Sequence, residues 1–320
     1  MVCCHYLAFW CAVWPLVFIR MMIPFAFYDD QYLEEAKNLS NIYHRGQEKI
    51  WDGREVLCDL FAKHSDTSVP DDLKEPLKNI LTIVLWGEYV AWNVSSELSS
   101  RLEDYGAKMA AVSQSYDEAR HFYVMRDYLQ ARLDYKPVQL ARSSYRVLEE
   151  VSEVRDLPRK LLGMQLMIEP VAITIFRFLR KSNVDPVLSE LLEYFEKDEA
   201  RHIALGVKYL PKLIQKMNIF QLTSFLWWQI KLINHEIRGL KFLEKDLEKL
   251  GLDPLVIFEF AENKQMECLR RVAKEMNVDN RFWRPIERAV RFRKMMAFYP
   301  NPEHGRIKKL INSIFEIFKH

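Results

Sequence analysis

Apolar residues recur three and four positions apart along most of the chain, and glycine, which interrupts helices, occurs only nine times in 320 residues. This spacing is that of amphipathic helices, and no stretch shows the two-residue alternation of a strand. Four long helices are predicted at about residues 73–105, 107–133, 159–179 and 187–209. Gly106 separates the first two helices, and a polar loop at 181–186 separates the last two. The pattern therefore predicts two helical hairpins.

Shorter helices are predicted around these hairpins, at about residues 31–64 (one or two helices), 139–155, 219–249, 254–276, 283–297 and 304–319. Pro211 is expected to end the fourth long helix, because a proline removes a backbone hydrogen bond. No low-complexity linker divides the chain, so we predict a single all-α domain over residues 29–320. Its core would be a four-helix bundle with a long crossover, followed by additional C-terminal helices over residues 211–320.

The first 28 residues differ from the rest of the chain. Residues 2–19 carry no formal charge, and Arg20 is the first charged residue. An apolar run of this length is just sufficient to cross a membrane, but it lacks the basic start and the cleavage site of a secretory signal. Three interpretations stay open for residues 1–28: a non-native extension from an upstream start, a membrane anchor, or a buried helix. An anchor here would leave the remaining chain in the cytoplasm, because Arg20 follows it.

The overall composition is that of a soluble globular protein, with 49% hydrophobic and 28% charged residues. The net charge of +2 gives no nucleic-acid signature, so nucleic acid is not an expected partner. The five cysteines form no Cys-x-x-Cys pair, which argues against a disulfide framework or a zinc site and favours the cytoplasm. Ten Lys or Arg residues and three Glu follow from Arg281 onward. This basic stretch is either a solvated face or a surface for an acidic protein or a membrane.

The pentapeptide Asp-Glu-Ala-Arg-His occurs twice, at residues 117–121 and 198–202. A further Glu lies 30 residues before the Glu of each copy, at positions 88 and 169. Glu and His three positions apart lie on one face of a helix, so both can point toward one metal ion. The midpoints of the two 30-residue intervals, residues 103 and 184, fall near the predicted turns. Each hairpin therefore brings its Glu and its Glu-x-x-His to the same height.

The repeat predicts a two-metal site with six ligands: Glu88, Glu118, His121, Glu169, Glu199 and His202. Four buried carboxylates without cations would repel one another and lose their hydration, so a metal-free interior of this composition would be costly. Oxygen-rich donors with few nitrogens and no thiolate suit Fe or Mn better than structural Zn or Cu. We therefore predict two Fe ions, with Fe/Mn or Mn as the alternatives.

The residues beside the predicted ligands indicate a supporting layer. Asp117 and Asp198 are expected to orient the imidazoles, because a metal-binding His usually donates its other N–H to a carboxylate. Arg120 and Arg201 are expected to pair with these Asp residues across the site. The alternative is that all four residues form ordinary ion pairs on the helix surface, which contribute little to stability.

The predicted ligands also have neighbours that could shape a pocket. Pro170 follows Glu169 directly, so a local widening of that helix is expected, with a simple kink as the alternative. Residues one helical turn from the ligands are mostly apolar and are either lining of a substrate pocket or bundle core. These pocket candidates are Gln114, Met125, Ile173, Phe176 and Phe195.

With this repeat, residues 75–210 resemble the ferritin-like superfamily, on the branch of ribonucleotide reductase small subunits and bacterial multicomponent monooxygenase hydroxylases. The doubled Asp-Glu-x-Arg-His form is especially similar to the monooxygenase group. The resemblance implies a ferritin-like bundle in which each copy's Glu, Glu and His bind one iron, with bridging carboxylates. It further implies that two Fe(II) ions reduce O2, and that the resulting oxidant attacks a C–H or N–H bond or generates a radical.

Two positions depart from the family patterns. Radical-generating reductase subunits usually have a Tyr where this chain has Met125, and hydroxylases have a Thr where it has Ile173. Met125 argues against a radical-storing subunit, and Ile173 puts the proton relay of the hydroxylases in doubt. We expect a di-iron oxidase or oxygenase that acts on a small, apolar organic substrate. The alternatives are an iron-handling ferroxidase, a radical-generating reductase subunit and a metal-free scaffold. An external electron donor, a ferredoxin or a reductase, is the expected partner, and a homodimer and a membrane surface stay open.

Overall fold

The computed structural model describes residues 30–136 and 142–298, together with Ile314. These residues form helices and no strand, which confirms the predicted all-α fold. The helices are α1 (Asp30–Glu48), α2 (Gly53–Lys63), α3 (Asp71–Arg101), α4 (Tyr105–Leu133), α5 (Arg142–Glu153), α6 (Leu157–Leu161), α7 (Glu169–Ser182), α8 (Pro186–Ile214), α9 (Ile219–Phe242), α10 (Glu244–Lys249), α11 (Pro254–Glu275) and α12 (Arg284–Phe298). A π-helix (Leu162–Ile168) joins α6 to α7, and a 3-10 helix (Asn280–Trp283) precedes α12. Residues 1–28, and the helix predicted at 304–319 apart from Ile314, lie outside the described residues.

α3 and α4 form the first predicted hairpin, and an aspartate sets its turn. Asp104 caps α4 by accepting a hydrogen bond from the N–H of Ala107 at 2.9 Å. This side chain satisfies a backbone donor that has no partner within the helix. Gly106, which was predicted as the break between the helices, instead lies buried in the first turn of α4.

α7 and α8 form the second hairpin. Asn183 ends α7 in the left-handed region at φ 48°, and Asp185 caps α8, whose first residue is Pro186. Asp185 is also buried and accepts a hydrogen bond from the Tyr128 hydroxyl of α4 at 2.7 Å. This contact fixes the turn of the second hairpin against a helix of the first.

Two of the predicted helices differ from the observed ones, one at its end and one by an internal division. α8 continues past Pro211 to Ile214, because the burial of Leu210 and Ile214 in the core outweighs the single hydrogen bond that a proline removes. The helix predicted over 219–249 is divided into α9 and α10 at Leu243. Its ψ of −3° departs from the helical value near −42°, which interrupts the regular helical backbone at that residue.

Two apolar layers fill the bundle, one on each side of the predicted ligands along the helices. The first layer contains Leu81 of α3 and Leu188 of α8. The second contains Leu98 of α3 and Leu210 of α8, and it continues into Phe225 of α9. The stretch from Leu157 to Ser182 has the length and hydropathy of a membrane span, but 67% of its apolar window is buried within the protein, as in a core helix. The predicted ligands therefore lie at mid-height in an apolar interior.

Candidate metal centre

Four helices bring the six predicted ligand residues together between the apolar layers. All six side chains are buried, with at most 4% of the residue surface exposed. Their donor atoms form two groups, and the atoms of each group lie within 4.8 Å of one another. The groups are Glu88, Glu118, His121 and Glu199, and Glu118, Glu169, Glu199 and His202. Glu118 and Glu199 belong to both groups, so they are placed to bridge two cations.

Both imidazoles turn their Nδ1 atoms toward the carboxylates of the centre. His121 Nδ1 lies 3.3 Å from Glu88 Oε2 and 3.2 Å from Glu199 Oε1. His202 Nδ1 lies 2.7 Å from Glu199 Oε2 and 3.0 Å from Glu118 Oε1. Each imidazole is therefore in contact with carboxylates from two different helices.

The chemistry of this centre fits two divalent cations. Among the described residues, three buried atoms here have no hydrogen-bond partner: His121 Nδ1, Glu118 Oε2 and Glu199 Oε1. Buried polar atoms are nearly always hydrogen-bonded, so unpartnered donor atoms at one point fit a metal ion. Burial also raises the pKa of Glu88 and of Glu169 well above the usual range of a glutamate. The protein interior disfavours these negative charges unless cations neutralise them.

The second nitrogen of each imidazole contacts an Asp of the opposite pentapeptide. His121 Nε2 lies 3.1 Å from Asp198 Oδ2, and His202 Nε2 lies 3.3 Å from Asp117 Oδ2. With Nε2–H donating to the carboxylate, as is usual for a metal-binding His, the Nδ1 lone pair would be free to bind a metal. The contacts are those predicted for Asp117 and Asp198.

The two arginines of the repeat join the same aspartates into a buried network. Arg120 Nη2 donates to Asp117 at 2.6 Å and to Asp198 at 2.8 Å. Arg201 Nη2 donates to Asp117 at 2.9 Å and to Asp198 at 2.6 Å. The alternative of surface ion pairs is wrong, because Arg120 and both Asp side chains are almost fully buried. Although burial opposes ionisation, the hydrogen bond from His121 and the charge of Arg201 hold the pKa of Asp198 well below its usual range.

Trp51 extends this network toward the surface. Its Nε1–H donates to Asp198 Oδ2 at 2.9 Å, and the guanidinium of Arg120 lies 4.5 Å from the centre of its ring. Trp51 is half-buried and lies directly before Asp52, which caps α2. No sequence motif identifies Trp51 as part of the site, because its contact with Asp198 joins residues 147 positions apart.

Gln114, a predicted pocket residue, instead connects two of the ligands. Its amide nitrogen donates to Glu118 Oε1 at 3.1 Å and to Glu169 Oε1 at 2.9 Å. Its carbonyl accepts a hydrogen bond from Gln165 at 3.0 Å. Gln165 lies in the seven-residue π-helix that ends directly before Glu169. The helix widening predicted from Pro170 is therefore present, and it is the segment that brings Gln165 to the ligands.

The remaining pocket candidates are buried core residues, which is the second of the two interpretations left open for them: Met125, Ile173, Phe176 and Phe195. Positions one turn from an inward-pointing ligand also point inward, where side chains of the facing helices fill the space. The Phe195 ring, for example, stacks on His121 with the ring centres 4.1 Å apart. A cavity of about 100 Å³ lies elsewhere, among α3, α5, the π-helix, α7 and α9, and Glu88 and Glu169 form part of its wall.

Solved structures share this architecture. Two R2-like ligand-binding oxidases, each with an aerobically reconstituted Mn/Fe cofactor, superpose with a TM-score of 0.59, at 14% and 15% sequence identity. Each match covers 76% of this chain and 94% of the oxidase. No protein-family model and no curated protein sequence matches the chain. At this identity the likeness establishes the fold, which is the ferritin-like helical bundle predicted from the repeat.

Proposed function

We propose that this protein is a non-haem dinuclear-metal oxidase or oxygenase, which uses O2 to oxidise a C–H or N–H bond of a small organic substrate. The observation that carries the proposal is the pair of buried ligand groups sharing Glu118 and Glu199. A Glu from each of two helices and a Glu-x-x-His from each of two others is the ligand set of di-iron and di-manganese carboxylate bundles. The Mn/Fe cofactors of the structural neighbours support one Fe and one Mn, and the oxygen-rich donor set also suits two Fe ions.

Such a metal pair, when bound, supplies the electrons that activate O2. The residues of this chain hold and isolate it. Glu88 and Glu169 each belong to one ligand group, so each would bind one cation, whereas Glu118 and Glu199 would bind both. The Asp–Arg network keeps the imidazoles in the tautomer that binds metal. The apolar layers above and below exclude water, which would otherwise compete with the substrate.

We place the substrate in the cavity beside Glu88 and Glu169. Three of its fourteen lining residues are glutamates and the other eleven are apolar, so the body of the substrate is apolar too. Oxygenation of one C–H or N–H bond by O2 consumes two further electrons. An external donor, a ferredoxin or a reductase, is therefore part of the proposal.

A radical-generating role is less well supported. The position where such subunits carry a Tyr is Met125, which is fully buried in the core. The nearby Tyr128 donates its hydroxyl hydrogen to Asp185 and belongs to the structural network between the hairpins. The apolar cavity that borders Glu88 and Glu169 favours an organic molecule, rather than iron, as the substrate.

Metal content and O2 uptake test the proposal together. The purified chain is loaded anaerobically with Fe(II), or with Fe(II) and Mn(II), and the bound metal is measured by elemental analysis. We expect about two metal ions per chain, and about one or fewer in Glu118→Ala, because this residue belongs to both groups. Glu248→Ala, at an exposed position of α10, is the matched control.

O2 consumption is then followed with a chemical reductant. Uptake that requires the metals and is lost in Glu118→Ala supports the oxidase. A wild-type chain that binds less than about one metal ion, or that consumes O2 only in proportion to added iron while storing the product, contradicts it.

A further inference from the structure

The cavity beside the predicted metal ligands has a third acidic residue, Glu236 of α9, which the metal centre does not use. The other two acidic lining residues are Glu88 and Glu169, and the rest of the wall is apolar. Glu236 is therefore the one ionisable side chain of this cavity, within the described residues, that is not a predicted metal ligand. Glu236 follows His235 in the sequence and belongs to neither copy of the repeated pentapeptide.

An amide from another helix holds the carboxyl group of Glu236 in place. Gln265 Nε2 of α11 lies 3.1 Å from both carboxyl oxygens and donates to them. The same nitrogen donates to the backbone carbonyl of Met167 in the π-helix at 3.0 Å. Both hydrogens of the amide are thus engaged, so Gln265 fixes the position of Glu236 relative to the segment that carries Glu169.

Glu236 has no cationic partner in the described part of the protein. Its hydrogen bonds come from Gln265 alone, and no Lys, Arg or His side chain there forms an ion pair with it. Glu236 is half-buried, and a carboxylate removed from water without a cation is costly, so this burial raises the pKa of Glu236 to about 8. An acidic group whose pKa is perturbed in this way, at the wall of a cavity, is typical of a ligand-binding site.

We propose, on the premise that the cavity is the substrate site of the oxidase, that the substrate is a primary amine with a short aliphatic body, and that Glu236 binds its ammonium group. The ammonium group supplies the cation that the protein does not provide. The apolar wall contacts the hydrocarbon part, and the head group is fixed at Glu236 while the body extends toward Glu88 and Glu169. A cavity of about 100 Å³ suits a body of a few carbon atoms, since a cavity of about 150 Å³ accommodates benzene. Glu236 is thus a specificity-determining residue, and Gln265 positions it.

Other head groups fit less well. A carboxylate would find no Lys, Arg or His side chain in the wall of the cavity, within the described residues, to pair with its charge. An alcohol could form one hydrogen bond with Glu236. It would leave the negative charge of the ionised Glu236 carboxylate unpaired. A wholly apolar molecule would leave the carboxyl group without a partner other than Gln265.

Calorimetric titration with three probes of similar size tests the inference: n-butylamine, butan-1-ol and butanoate. The metal-loaded chain is used, and the measurement is repeated on the metal-free chain. We expect n-butylamine to bind at least about tenfold more tightly than butan-1-ol, which is the effect of one buried charged hydrogen bond, and butanoate to bind most weakly. Equal affinities for the amine and the alcohol, or tighter binding of butanoate, would overturn the inference on the unmodified chain.

Glu236→Gln keeps an acceptor for Gln265 and removes the negative charge. In this variant the preference for the amine over the alcohol should fall to about threefold or less, whereas the exposed-site control Glu248→Gln should retain it. An amine that instead bound a metal ion would keep its preference in Glu236→Gln and would lose it in the metal-free chain. That result would also overturn the inference.

The two proposals fail separately. Amine binding that depends on Glu236, in a chain that shows no metal-dependent O2 uptake, would retain the amine site and remove the oxidase. Metal-dependent O2 uptake with amine binding that is indifferent to Glu236 would retain the oxidase and remove the amine site.

Discussion

Replacing Asp198 with asparagine is the most direct test of how the buried Asp–Arg network supports the metal centre. Asp198 receives contacts from four donors: His121 Nε2 at 3.1 Å, Arg120 at 2.8 Å, Arg201 at 2.6 Å and Trp51 at 2.9 Å. The substitution keeps the shape of the side chain and removes its negative charge. The two arginines then share only Asp117, and His121 loses the carboxylate that fixes its tautomer.

Two separate effects of Asp198→Asn follow. Leaving a buried charge without its partner costs about 3–5 kcal/mol in the free energy of unfolding of the metal-free chain. Loss of the carboxylate behind a metal-binding His lowers metal affinity by about 10–100-fold. Urea unfolding monitored by circular dichroism measures the first effect. Competition with a chromophoric chelator for Fe(II) or Mn(II) measures the second.

Asp127→Asn is the matched control, since Asp127 pairs with Arg126 at the surface, where both side chains are substantially exposed. Its expected cost is at most about 1 kcal/mol, with unchanged metal affinity. A folded Asp198→Asn chain with wild-type affinity for both metals would refute the view that this network orients the ligands. A loss of stability equal to that of the control would refute the view that its charges are buried and matched.

Three further outcomes are expected. Trp51→Phe removes a single hydrogen bond to Asp198, so it should lower stability by only about 1 kcal/mol and metal affinity less than Asp198→Asn does; equal losses in the two variants would argue against this ranking. Ala172→Phe fills the cavity and should abolish substrate-stimulated O2 uptake while the bound metal stays at the wild-type level; retained stimulation would place the substrate elsewhere. Because the folded protein holds the pKa of Glu236 at about 8, above the ordinary 4.5, the folded state binds this proton more tightly and the free energy of unfolding declines as pH rises between these values. In Glu236→Gln the melting temperature should therefore decline less between about pH 5 and 8 than in the wild type, and parallel melting curves would contradict the buried acid.

The repeated pentapeptide made the centre of the bundle predictable from sequence. Glu-x-x-His has a fixed direction on a helix, and the 30-residue intervals fix the height at which each hairpin returns. These are local rules, and the contacts of Asp117 and Asp198 with the opposite imidazoles follow from the symmetry of the two copies.

Features that depend on distant parts of the chain were not predictable in this way. Trp51 reaches Asp198 across 147 residues, and Glu236 faces the cavity because α9 packs beside α5 and the π-helix. The choice between pocket lining and bundle core at the candidate positions was not predictable for a related reason. Helical periodicity tells which side chains point inward, but the packing of neighbouring helices decides where space is left, and Phe195 fills its space by stacking on His121.

The sharing of Glu118 and Glu199 between the two ligand groups constrains how the centre can change. In a metal-loaded centre, a substitution at either position would therefore disturb both cations at once. Glu88 and Glu169 each serve one group only, which makes them the positions where a mononuclear derivative is attainable by a single replacement.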